Sequence, residues 1–179
     1  VPSNLRKQWY QELADKFFLP SVILETKSFN AEIKKGNLNP FLQKDIIICS
    51  YQFARKQEIF IQAVRWDLTV VDEAHRLRNV YKPTNKIANS IKQAISKSPK
   101  ILLTATPLQN TLLELYGLVS IVDEYLFGDL PSFRSRYTRL IEEDGNYSEL
   151  KNRLIPICKR TLRRQVYEYV TYTERMAIT

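Results

Sequence analysis

Glycine is scarce in this chain. Its 179 residues hold four, Gly36, Gly117, Gly128 and Gly145. They form no Gly-x-x-x-x-Gly-Lys-Ser/Thr run, so the loop that cradles nucleotide phosphates with backbone amides and a lysine is absent from this sequence. Cysteine is scarcer still. Cys49 and Cys158 stand far apart and show no metal-ligand spacing. His75 is the single histidine, so a structural zinc site is not expected. Two reduced thiols in an intracellular protein are the plain reading, in the cytoplasm of a prokaryote or the nucleus of a eukaryote. No apolar run approaches the length of a membrane span and no signal peptide is visible, so no membrane partner is expected. There is no internal repeat and no low-complexity segment.

Hydrophobic residues make up 44% of the chain, enough for one domain with a core, while the length is too short for two large ones. Positive charge is in excess. The net charge of +8 suggests a polyanionic partner, although a generally basic surface would give the same number.

The stretch that organises the rest is Leu68-Thr69-Val70-Val71-Asp72-Glu73-Ala74-His75. A short β-branched run fits a strand buried on both faces. An unpaired carboxylate is costly to desolvate, so Asp72 and Glu73 are expected where the strand leaves the core, at its carboxyl end. In open α/β sheets ligands bind at that edge. Two carboxylates there suit a hydrated magnesium ion and a water aimed at a phosphate. Taken alone, the same letters would also open a helix, whose N-terminal dipole favours carboxylates.

In chain order, Val1-Pro2-Ser3-Asn4 reads as a strand end followed by a helix cap from Ser3 or Asn4. Leu5, Trp9, Leu13 and Phe17 recur as a buried helical stripe. Residues 22–24 form a short strand, and 26–44 a loop with one short helix. Asp45-Ile46-Ile47-Ile48-Cys49 is a second strand leading into Ser50-Tyr51, with a helix over 52–62. Pro83 and Thr84 open a helix carrying Ile87, Ile91 and Ile95 on one face. Residues 100–103 form a strand ending in Thr104-Ala105-Thr106-Pro107, and 112–122 an apolar helix. Alternating strands and helices imply βαβ units and a mostly parallel α/β sheet. Past Tyr125 no buried strand is visible, and a Gly145-Asn146 turn separates helices over 132–140 and 147–154. Polar motifs follow strand ends four times, and in a parallel sheet all four share one edge.

These segments together resemble the Swi/Snf family of DNA translocases, within the superfamily-two helicases. The octet resembles a Walker B motif in its DEAH form. The matching runs, in the family's order, are Val1-Pro2-Ser3-Asn4-Leu5 with Trp9 and Glu12, then Cys49-Ser50-Tyr51, then Asp72-Glu73-Ala74-His75-Arg76-Leu77-Arg78-Asn79, then Leu103-Thr104-Ala105-Thr106-Pro107-Leu108-Gln109-Asn110 with Leu113-Glu114-Leu115. Arg160-Thr161-Leu162-Arg163-Arg164 resembles the arginine-rich segment leaving the first motor lobe. The ending Gln165-Val166-Tyr167-Glu168-Tyr169-Val170 is similar to a prokaryotic branch. Ala105 departs from the family's usual glycine, Arg78 from its frequent lysine, and Val166 from a terminal lysine.

The resemblance implies a RecA-like lobe that binds ATP, Mg2+ and duplex DNA without sequence preference. Asp72 would coordinate magnesium through water and Glu73 would orient the attacking water. His75 would link that site to Thr104, Thr106 and Gln109, which couple it to DNA. Pro2, Ser3, Asn4, Ser50 and Tyr51 match segments that touch the DNA backbone, with Arg76 and Arg78 as exposed basic residues nearby. A DNA-bound protein complex is a further partner open to such a protein. The expected division is a partial RecA-like lobe over 1–125, lacking its phosphate loop, and a helical extension over 126–179. The chain is then the carboxyl-terminal part of a first motor lobe cut from a longer protein, inactive alone. Two other readings are a nucleic-acid-binding or protein-interaction module that never hydrolyses ATP and an RNA helicase. The Asp72-Glu73 pair speaks against the first, and Thr106-Pro107-Leu108-Gln109-Asn110 against the second.

Overall fold

The computed structural model describes residues 1–106, 108, 110–138 and 147–160. The chain divides into two compact units, Val1–Arg139 and Leu140–Thr179. Each strand is a triplet made mostly of β-branched or apolar residues, the types that suit a pleated, half-buried surface, with Ser21 and Lys100 opening β1 and β4. Strands β1 (Ser21–Ile23) and β2 (Ile46–Ile48) pair in parallel, with Val22 opposite Ile47. Strands β3 (Thr69–Val71) and β4 (Lys100–Leu102) form a second parallel pair, with Val70 opposite Ile101. Parallel neighbours need a crossover, and helices supply it. Helix α2 (Thr26–Lys34) lies between β1 and β2. A 3-10 helix (Ala74–Tyr81) and α5 (Lys86–Ala94) lie between β3 and β4. The first unit is thus a RecA-like α/β core, and the described residues after Tyr125 are helical or irregular.

Helix α1 (Arg6–Phe17) precedes β1. Helices α3 (Tyr51–Lys56) and α4 (Glu58–Gln62) follow β2, broken at Gln57 where one continuous helix was expected. Helix α6 (Leu112–Val122) has the expected bounds. Beyond it come α7 (Leu130–Phe133), a π-helical turn (Arg134–Thr138) and, in the second unit, α8 (Ser148–Leu154). The Gly145-Asn146 turn and residues 161–170 lie outside the described residues.

Aromatic side chains fill the core beside β1 and β2. Phe29 packs on Phe41, Phe53 and Phe60, and Phe41 reaches Trp66. Val71, Leu77, Val80, Ile91, Leu118 and Ile121 continue the same cluster under β3. Among the described residues no helix is long and apolar enough to cross a membrane.

Three local expectations are corrected. First, β3 is not buried on both faces. Val71 faces the core, but Val70 on the opposite side is 38% exposed, as are Leu68, Ile101 and Leu103 to a similar degree. Helix α6 packs on β4 and on the 3-10 helix, which also meets α5, while these four side chains on the opposite face stay partly exposed. Second, the stripe on α1 contains no fully buried residue, and Phe17 is exposed, because the helix lies on the outside of β1 and β2. Third, neither Ser3 nor Asn4 caps α1. Leu5 holds that position in helical conformation, and the turn before it bonds through backbone from Leu5 N to the Pro2 carbonyl.

Candidate nucleotide and nucleic-acid site

Asp72 follows β3 directly. Its Oδ1 accepts from the Glu73 amide at 2.9 Å, and its Oδ2 accepts from the Trp9 indole Nε1 at 2.7 Å. The Tyr51 hydroxyl, at the start of α3, donates to the Asp72 carbonyl. Burial, and then the neighbouring Asp72 charge, push the Tyr51 phenol far above its usual range, so it keeps its proton and acts as a donor. Three elements, α1, α3 and β3, thus converge on one residue, α1 through the Asp72 carboxylate and α3 through its backbone carbonyl.

Glu73 turns the chain. Its φ of 52° and ψ of 45° are left-handed, a conformation that costs a non-glycine residue about 1–2 kcal/mol. Such strain at a non-glycine residue clusters at functional sites. The turn ends β3 at once, and the next amide, Ala74 N, bonds the Leu103 carbonyl at 2.8 Å, locking the exit of β3 to the exit of β4. His75 Nδ1 then lies 3.1 Å from Glu73 Oε2 and 3.5 Å from Thr104 Oγ1. Thr104 Oγ1 also accepts from the Thr106 amide at 3.2 Å, while Thr106 itself is exposed. The structure therefore brings Asp72, Glu73, His75, Thr104 and the Thr106 backbone together. Gln109 and Pro107 lie outside the described residues.

The segments at the other strand ends reach the same neighbourhood. The Val1 amino group bonds the Cys49 carbonyl at 3.0 Å, and Ser3 Oγ bonds Gln52 Oε1 at 3.3 Å. Ser3 and Asn4 are exposed, but Pro2, Ser50 and Tyr51 are buried. The Ser50 hydroxyl is engaged as the cap of α3, accepting from Phe53 N. These three side chains hold segments in place and offer little surface. What is offered is a cleft of about 400 Å³ at the ends of β1 and β2, whose lining includes Arg6, Lys27, Ser50, Gln52 and Lys56. Arg6 is ion-paired to Glu25 at 3.0 Å. A second cleft of about 360 Å³ shares Gln52 and runs past His75, Arg76 and Asn79. Arg78 is not the exposed residue expected. Its side chain packs against buried Glu114 of α6, with 3.5 Å between Nε and Oε1.

Sequence reasoning missed Arg6, Lys27 and Lys56 individually and saw only net charge. A signal was present, since Arg6 and Lys27 lie within a few residues of polar strand-end segments. No pattern pointed to the Trp9 donor, because it meets Asp72 across 63 residues of chain.

The chemistry of Asp72 fits a magnesium ion held through water. Each Asp72 oxygen accepts one protein hydrogen bond and retains a lone pair for water. Among the described residues no cluster of three His, Cys, Asp or Glu side chains could cage a metal. Magnesium does not ask for one: it keeps several waters and takes one or two carboxylates plus phosphate oxygens.

The chain is similar to known proteins along most of its length. The model of the SNF2-related domain matches residues 1–176. Mouse chromodomain-helicase-DNA-binding protein 1-like is 29% identical over 171 residues, covering 92% of this chain and 18% of the mouse protein. RNA polymerase-associated protein RapA of Klebsiella pneumoniae is 31% identical over 151 residues, 82% of this chain and 15% of that protein. The Arabidopsis thaliana CHD3-type chromatin-remodeling factor PICKLE is 30% identical over 140 residues, 78% and 10% respectively. The chain therefore spans less than a fifth of the length of these relatives. The solved Sulfolobus solfataricus SWI2/SNF2 ATPase core in complex with dsDNA superposes with a TM-score of 0.68 at 25% identity, over 87% of this chain and 31% of that one. The chain belongs to the SNF2-related domain family of helicase-like ATPases.

Proposed function

We propose that this chain is part of an ATP-dependent translocase that couples ATP hydrolysis to movement along duplex DNA. The observation that carries the reading is the junction of the β3 and β4 exits: Asp72 held by Trp9, Glu73 turned into a left-handed conformation, and His75 between Glu73 and Thr104. In this reading Asp72 would hold magnesium through water, and the chemistry supplied there would be neutralisation of phosphate charge. Glu73 orients the attacking water and takes up its proton. His75 passes a change at Glu73 to Thr104 and so to the run containing Thr106 and Gln109. Ser3, Asn4 and the basic cleft of Arg6, Lys27 and Lys56 bind phosphates of the DNA backbone, which positions a duplex without reading its bases. Pro2, Ser50 and Tyr51 contribute by fixing the backbone of the same segments. The Sulfolobus relative, solved with dsDNA, supports duplex DNA as the partner.

The test uses the whole protein that contains this chain. Glu73→Gln keeps the shape but cannot take the proton, so it is expected to leave nucleotide binding nearly intact and to lower single-turnover hydrolysis by about a hundredfold or more. Asp72→Asn is expected to weaken magnesium-dependent nucleotide binding itself. Equal losses of binding in both variants would overturn the assignment.

A further inference from the structure

The runs that leave β3 and β4 are tied together a second time, away from His75. Glu114, in the first turn of α6, is only 5% exposed. Its Oε1 lies 3.5 Å from Arg78 Nε and accepts from Asn110 Nδ2 at 3.1 Å. Its Oε2 accepts from the Asn110 backbone amide at 3.1 Å. Arg78 belongs to the 3-10 helix that starts directly after Glu73, and Asn110 to the run that carries Thr104 and Thr106. One turn further along α6, Gly117 lets the two helices touch at their backbones: a Cβ there would collide with the Arg78 carbonyl oxygen. Among the described residues Arg78 Nη1 is buried without a hydrogen-bond partner.

An ion pair with one partner buried and the other mostly so is an inefficient way to hold two helices together. Desolvating both charges offsets most of their attraction, and well-packed apolar side chains of similar volume often serve stability as well or better. The pair here leaves part of the guanidinium unsatisfied, which adds to the cost. What apolar side chains could not do is receive the Asn110 amide. The carboxylate reaches the Arg78 side chain with one oxygen and the Asn110 backbone with the other, so it fixes the β4 exit run relative to the helix carrying His75.

We propose that Glu114 is a positioning residue that makes the β3 exit helix and the Asn110 run move as one body, and so carries the response to DNA into the nucleotide site. The inference rests on the function proposed above. Glu114 touches neither nucleotide nor DNA in this account and acts through Asn110 and Arg78.

The test again uses the whole protein. The apolar double variant Arg78→Met with Glu114→Leu is expected to keep the melting temperature within a few degrees, to leave hydrolysis without DNA and the KM for ATP nearly unchanged, and to lower DNA-stimulated kcat by about tenfold. DNA affinity in the absence of nucleotide stays at its starting value. A double variant that keeps both its melting temperature and its DNA stimulation would overturn the proposal, because the pair would then serve stability alone. If that variant fails to fold, Glu114→Gln decides. It keeps an acceptor for the Asn110 amide and removes the charge that holds Arg78, so DNA stimulation is expected to fall several-fold. An unchanged stimulated rate overturns the proposal. An unsubstituted protein with no DNA-stimulated hydrolysis defeats the underlying function, and this inference with it, before any variant is made.

Discussion

At the scale of single residues, Asp72 is the atom-level hub, and its geometry depends on a donor from far away in sequence. Trp9 Nε1 to Asp72 Oδ2, at 2.7 Å, is a hydrogen bond to a charged acceptor in a half-buried setting. Such bonds contribute about 1.5–3 kcal/mol when shielded, and solvent access places this one near the lower end. Trp9→Phe keeps the ring and removes the N–H. It is expected to destabilise the fold by about 1–2 kcal/mol, and to cost much less when Asp72 is already Ala. Urea unfolding of the four proteins of that cycle measures the coupling, and additive losses would show that the indole does not hold the carboxylate. The two carboxylates at the strand end were legible because charge cannot stay in a strand core. Their indole partner was not, since local patterns carry no record of which residues meet across 63 positions. Tyr51 shows the same limit from the other side: a hydroxyl at a strand end looks available to a phosphate, yet it is buried on the Asp72 carbonyl.

At the scale of elements, helix α6 and the 3-10 helix matter most, because their contact fixes where the site's two runs lie. The sequence of α6 is apolar on most sides, and its bounds were legible for that reason. A helix after Glu73 was open in the sequence only as an alternative, and its 3-10 form was not anticipated, since Ala74 to Tyr81 mixes charged and apolar residues and packs on α6 and α5. Gly117 is the point of closest approach. An alanine there would gain about 1 kcal/mol of helix propensity over glycine. Its Cβ would also meet the Arg78 carbonyl oxygen head-on, with Tyr81 Cδ1 at 3.3 Å, and neither helix can yield without moving its backbone. Overpacking of that kind costs about 1–3 kcal/mol, and a backbone obstacle belongs at the upper end. Gly117→Ala is therefore expected to be destabilising, by thermal unfolding, with faster amide exchange in both helices. A variant as stable as the parent would mean that the two helices have more room than their contact suggests.

At the scale of the whole molecule, charge and apolar surface oppose each other. The strand triplets were legible as strands, but periodicity could not say which face stays partly exposed. Leu68, Val70, Ile101 and Leu103 stand on one face of the β3–β4 pair, each between 38% and 49% exposed. Contiguous apolar surface of this kind drives association in water. The net charge of +8 resists it, because two like-charged chains repel until salt screens them. Screening shortens the reach of that repulsion from about 10 Å at 0.1 M salt to about 3 Å at 1 M, while the attraction of apolar surface is not weakened. The 179-residue chain by itself is therefore expected to self-associate more as salt rises. Binding to any polyanion through its basic cleft would run the opposite way, since released counterions make such binding weaker in salt. Sedimentation at low and high salt separates the two. Val70→Thr combined with Ile101→Thr keeps the β-branched shape and adds a hydroxyl to two neighbouring positions of the face, so it is expected to abolish the salt-promoted association. Association that falls with salt, or that survives both threonines unchanged, would place the sticky surface elsewhere and leave the open face of β3 and β4 without consequence in solution.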